Sequence, residues 1–86
     1  MARVLSIHRL TVTPSERKKY SERLKKKRAH YEGAGCRFWV FEEAGLPGAF
    51  LEFFEADDQA TLSRAHAAAP DPVLDPNRIY QEVELK

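Results

Sequence analysis

The stretch Cys36-Arg37-Phe38-Trp39-Val40-Phe41-Glu42-Glu43-Ala44-Gly45-Leu46-Pro47-Gly48-Ala49-Phe50-Leu51-Glu52-Phe53-Phe54-Glu55 decides the fold. Two aromatic-rich runs, 36–42 and 49–55, flank a short segment that holds two glycines and a proline. Aromatic residues suit a pleated, half-buried surface, whereas Gly and Pro punctuate it. Strands joined by so short a connection pair antiparallel, so the stretch predicts a hairpin.

Towards the N-terminus, Gly33-Ala34-Gly35 reads as a helix end. That helix begins at Thr13-Pro14-Ser15-Glu16, where Pro14 suits the first turn and Thr13 with Glu16 forms a capping box. Tyr20, Leu24 and Tyr31 recur at helical spacing and make a thin apolar stripe. Residues 3–12 are rich in β-branched and apolar types and read as a strand. Towards the C-terminus, Asp57 or Asp58 caps a second helix that runs to about residue 68 on Ala60, Leu62 and Ala65. Three prolines make 70–77 a loop, and 78–85 reads as a last strand. The order β-α-β-β-α-β predicts one α+β domain over residues 1–86, a ferredoxin-like plait. Its four-stranded antiparallel sheet carries both helices on one face.

Strand alternation sorts the side chains into two faces. Leu5, Ile7, Phe38, Val40, Leu51, Phe53, Val83 and Leu85 form an almost purely apolar set, the expected floor beneath the helices. The opposite set mixes aromatics such as Trp39, Phe41, Phe50, Phe54 and Tyr80 with His8, Arg37 and Glu52. An exposed patch of several hundred Å² is more than a monomer usually leaves open, so a second copy or a flat ligand is expected to cover it.

Composition points the same way. With 86 residues the core is small, and such domains commonly lean on a disulfide, a metal or a partner subunit. Cys36 is the single cysteine, and the three histidines are scattered without metal-ligand spacing, which leaves self-association. No metal or tightly held cofactor is expected. The net charge of +1 supplies no global field towards nucleic acid or a membrane. The N-terminus lacks a signal-peptide pattern and no run reaches membrane-span length, so the reading is a cytoplasmic protein.

The opening strand ending in Thr11-Val12-Thr13-Pro14, the long charged helix with an inward Tyr20, the Gly33-Ala34-Gly35 stop and Phe50-Leu51-Glu52-Phe53-Phe54-Glu55-Ala56-Asp57 together resemble the dimeric α/β-barrel superfamily. That superfamily includes cofactor-independent monooxygenases of the antibiotic-biosynthesis type. The resemblance implies two plaits packed sheet against sheet as a homodimer. It also implies a small hydrophobic aromatic substrate handled in an aromatic pocket with few polar groups. A rival resemblance is the RNA-recognition motif, in which Ala49-Phe50-Leu51-Glu52-Phe53 is similar to the tail of the third-strand octapeptide. Leu46, Pro47 and Gly48 depart from that octapeptide, and the first strand lacks a base-stacking aromatic, so RNA binding ranks below both an enzyme and a non-catalytic ligand-binding module.

The candidate site residues follow from these patterns. His8 and Glu52 share a face on strands that neighbour each other in the plait, and a carboxylate-oriented imidazole is a natural proton acceptor. His8 and Tyr20 are therefore the catalytic candidates. Trp39, Tyr31, Phe53 and His66 are the substrate-binding candidates: Trp39 as a stacking wall, Tyr31 in the gap between helix and sheet, and His66 beside the small residues Ala67-Ala68-Ala69. Each has a plainer structural reading as interface or core. The basic run of Arg17, Lys18, Lys19, Arg23, Lys25, Lys26, Lys27 and Arg28 reads as a solvated helix surface or an anion site.

Overall fold

The structure is a computed structural model that describes residues 3–71 and 78–85. Strand β1 (Val4–Thr11) leads through one 3-10 turn (Pro14–Glu16) into helix α1 (Arg17–Gly33). Strands β2 (Arg37–Glu42) and β3 (Ala49–Ala56) follow, then helix α2 (Gln59–Ala67) and a two-residue strand β4 (Tyr80–Gln81). The sheet order is β2-β3-β1-β4, with every pairing antiparallel, which is the ferredoxin-like plait.

The hairpin forms as its composition dictates. Residues 43–48 turn through Leu46 N–H to Glu43 C=O and Ala49 N–H to Leu46 C=O, both 3.1 Å. Gly48 adopts φ +93°, and a Cβ there would stand 2.6 Å from the Val12 carbonyl oxygen. Only glycine accommodates both demands. The Gly48 carbonyl in turn accepts the Val12 N–H at 2.7 Å, pinning the end of β1 to the hairpin. Asp58 caps α2, its carboxylate accepting the Thr61 N–H at 2.7 Å.

Two local expectations need correction. The Thr13 hydroxyl meets Ser15 Oγ at 3.2 Å instead of closing a capping box, and the Glu16 N–H goes to the Thr13 carbonyl. The last strand is cut to Tyr80–Gln81, paired with Leu5 and Val4, while Val83 and Leu85 are 75% and 93% exposed and belong to no core. Of the proline-rich loop, residues 72–77 lie outside the described residues.

The larger correction concerns the faces. Strand β2 behaves as alternation predicts, with Phe38 and Val40 turned towards the helices. On β1 and β3 the two sets are exchanged. Val4, Ser6, Phe50, Glu52, Phe54 and Ala56 are buried beneath the helices. Leu5, Ile7, Leu51 and Phe53 lie on the open face, with Trp39 and Phe41 beside them in the β2 register. The cause is polar chemistry carried by the helices. Tyr20 and Lys27 of α1 and His66 of α2 are buried too, and they supply partners for Glu52 and Ser6. A buried polar group is tolerated when it is hydrogen-bonded, so a polar sheet face can be the inner one.

The open face is consequently more apolar than expected. Ile7, Trp39, Phe41 and Tyr80 are 44%, 42%, 58% and 48% exposed. One rim carries an alternating charge row. Arg3 grips Glu82 at 2.9 Å and Glu55 at 3.2 Å, Arg37 meets the same Glu55, and Arg37 reaches Asp57 at 2.8 Å. The row runs along one end of the sheet, past the ends of all four strands.

Candidate functional site

The inner face divides into two apolar clusters with a polar layer between them. Val4, Tyr31, Cys36, Phe54, Ala56, Leu62 and Ala65 form one cluster; Val12, Tyr20 and Phe50 form the other. Glu52 stands between Phe50 and Phe54 on the same strand face, and its cross-strand partners are Val40 and His8. Above it, α1 presents Tyr20, Leu24, Lys27 and Tyr31, spaced so that all four fall on one side of the helix. Lys27 fills the gap in the apolar stripe and so is carried inward.

Glu52 is fully buried. Its Oε2 accepts the Tyr20 hydroxyl at 2.7 Å and its Oε1 accepts Lys27 Nζ at 2.9 Å. His8 Nδ1 lies 3.5 Å from the same Oε1. That separation is too long for a hydrogen bond. Nδ1 is a buried nitrogen with no hydrogen-bond partner among the described residues. Burial foremost, and then Glu52, push the Tyr20 hydroxyl pKa far above its ordinary value. Tyr20 therefore keeps its proton and can offer it, while of the two catalytic candidates His8 is the one with an unused nitrogen.

A second chain runs alongside. The Tyr31 hydroxyl meets His66 Nδ1 at 2.7 Å, and His66 Nε2 meets Ser6 Oγ at 3.0 Å, tying α1, α2 and β1 together. Burial lowers the His66 pKa, with His30 adding a smaller push in the same direction, and burial raises that of Tyr31. His30 itself bonds the Ala65 carbonyl at 2.8 Å, a contact between the helices.

Four of the six candidates, His8, Tyr20, Tyr31 and His66, thus share the helix–sheet interior. Trp39 and Phe53 are neighbours across β2 and β3 on the opposite face. The sheet separates the two groups, and one pocket cannot hold all six. In the sequence pattern Glu52 stands out only as a partner of His8, and Lys27 only as one of a basic run. Its place at the missing position of the Tyr20–Leu24–Tyr31 stripe is the signal that finds it.

Between α1 and the edge strand β2 opens a cleft of about 260 Å³, walled by Leu24, Phe38 and Val40 and flanked by Lys25 and Arg28. A neighbouring hollow of about 530 Å³ wraps round the free edge of β2 and includes Trp39. Among the described residues no group of three or more His, Cys, Asp or Glu side chains is placed to hold a metal ion. Nor is any helix there long and apolar enough to cross a membrane.

Fold comparison places the chain among ferredoxin-like α+β proteins. The structure of Rv0793 from Mycobacterium tuberculosis superposes with a TM-score of 0.62 at 15% identity, covering 100% of this chain and 97% of that one. A putative antibiotic biosynthesis monooxygenase from Chloroflexus aurantiacus J-10-fl superposes with a TM-score of 0.53 at 19% identity, covering 100% and 95%. At these identities the likeness is one of fold. No family model matches the sequence, and no curated protein matches it.

Proposed function

We propose that this protein is a homodimer that handles a small hydrophobic aromatic compound in the helix–sheet interior, as a monooxygenase without a tightly held cofactor. The observation that carries the reading is the unpartnered Nδ1 of His8 beside the buried Glu52 carboxylate. A small domain is marginally stable, and a buried ion pair is a poor way to stabilise it, because the desolvation cost rivals the attraction. Glu52 and Lys27 are better understood as a fixed charge arrangement that holds His8 ready. Shortening the His8–Glu52 separation by about 0.5 Å would bring it into hydrogen-bonding range. The imidazole then takes a proton from an activated ring position of the substrate. The electron-rich anion reacts with dioxygen; a ring CH₂ becomes C=O, and the second oxygen atom leaves with the two hydrogens as water. The monooxygenase description of the Chloroflexus protein of similar fold supports this choice.

The dimer reading rests on the open face, whose aromatic and aliphatic side chains match the core of a subunit interface. Base stacking has weaker support: Phe50, its key aromatic, is buried against Tyr20 with ring centroids 4.8 Å apart. The test is oxygen uptake with phenolic aromatic substrates that carry an activated ring CH₂, such as hydroxylated anthrones. Turnover that falls at least a hundredfold in His8→Ala supports the catalytic reading. Binding without oxygen uptake would instead favour a non-catalytic ligand-binding module.

A further inference from the structure

The cleft between α1 and β2 combines three features. Its walls, Leu24, Phe38 and Val40, are apolar and half-buried. Its mouth carries two cations, Lys25 and Arg28, three residues apart and therefore on one side of α1. The cations are under-used. Lys25 forms no ion pair among the described residues. Arg28 holds only Glu32, four residues on, at 3.2 Å, with both side chains more than half exposed. Such a pair is worth little and exchanges readily for another anion. Among the described residues no carboxylate lines the cleft.

We infer that this cleft receives a flat aromatic molecule bearing a carboxylate, with the ring system between Leu24, Phe38 and Val40 and the anion on Lys25 and Arg28. The volume of about 260 Å³ admits a bicyclic ring system. Arg28 presents a planar fork that matches a carboxylate, and Lys25 adds a mobile point charge. Val40 is the cross-strand neighbour of Glu52, so the occupied cleft opens beside the polar layer and not on the dimer face. The inference rests on the reading of the helix–sheet region as a ligand site and adds the charge of the ligand to it.

The experiment is a ¹H–¹⁵N NMR titration of the full chain with 2-naphthoate and, separately, with the neutral 2-naphthylmethanol. Both compounds are expected to shift the Leu24, Phe38 and Val40 amides, with naphthoate binding about five- to tenfold more tightly at low salt. Raising the salt should erase most of that preference. The variant K25Q/R28Q should bind the alcohol unchanged and lose the preference for the acid; both positions are exposed, so the fold is retained. Equal affinity of the wild type for acid and alcohol would overturn the charge inference and leave the ligand reading standing. Shifts confined to Trp39, Phe41 and Leu51, or none at all, would overturn the cleft as a ligand site and the inference with it.

Discussion

Tyr20 donates a hydroxyl hydrogen bond to Glu52 across 2.7 Å, and both side chains are almost wholly withdrawn from water. One carboxylate thereby fixes the inward face of α1 over the centre of the sheet. Tyr20→Phe keeps the ring packing and removes only this bond. A hydrogen bond to a charged group is worth about 1.5–3 kcal/mol, so urea unfolding should register a loss of that size. Glu52→Leu should cost more, about 3–5 kcal/mol, because Lys27 is left buried and unpaired. The double variant Glu52→Leu/Lys27→Met should recover most of the loss. A double variant no more stable than Glu52→Leu would show that the pair is not the unit described.

His66 should make stability pH-dependent. Its folded-state pKa is depressed below the ordinary 6.5, chiefly by burial. The unfolded chain therefore takes up a proton that the folded chain refuses, and stability falls as pH drops through the histidine range. Above that range the contribution is flat. Unfolding free energies measured from pH 8 down to pH 5.5 should decline more steeply for the wild type than for His66→Gln. The comparison isolates the part of the pH dependence that requires the His66 imidazole. Parallel curves would contradict the buried, neutral His66.

Gly48 and Gly45 occupy the same connection with different demands. Gly48→Ala meets the Val12 carbonyl at 2.6 Å and a positive φ, whereas nothing lies within 4 Å of a Cβ at Gly45. Left-handed backbone alone costs a non-glycine residue about 1–2 kcal/mol, and the contact adds to it. Gly48→Ala should lower the melting temperature by at least about 5 °C, and Gly45→Ala by far less.

Phe41, 58% exposed on the open face, tests self-association. Light scattering should give a dimer for the wild type and a monomer for Phe41→Glu, with the far-ultraviolet circular dichroism retained. A wild-type monomer at high micromolar concentration would remove the subunit interface from the proposal.

The hairpin, both helices and their order were legible because Gly and Pro stops separate segments of clear period. Asp58 was legible as a cap because its side chain acts on its own helix. The faces of β1 and β3 were not, and the reason is non-local. Alternation tells which residues share a side, but apolar content alone does not tell which side faces the helices. Leu5, Ile7, Leu51 and Phe53 form the more apolar side, yet Tyr20, Lys27 and His66 arrive from distant elements with hydrogen bonds for the less apolar one. Polar partners on helices thus outweighed hydrophobicity on strands. The division of the six candidate residues follows from the same exchange, since it sends Phe53 outward with Trp39 and His8 inward with Tyr20.

The rim row from Glu82 through Arg3, Glu55 and Arg37 to Asp57 also bears on how the chain can be rewired. Arg3 and Glu82 are 79 positions apart yet joined side chain to side chain, and Glu82 N–H bonds the Arg3 carbonyl at 2.8 Å. The ends of the described chain are therefore neighbours, and the 43–47 turn is exposed. A short peptide bridging the ends, with a new opening cut in that turn, yields a circular permutant in which every strand pairing is preserved and β1 becomes an internal segment.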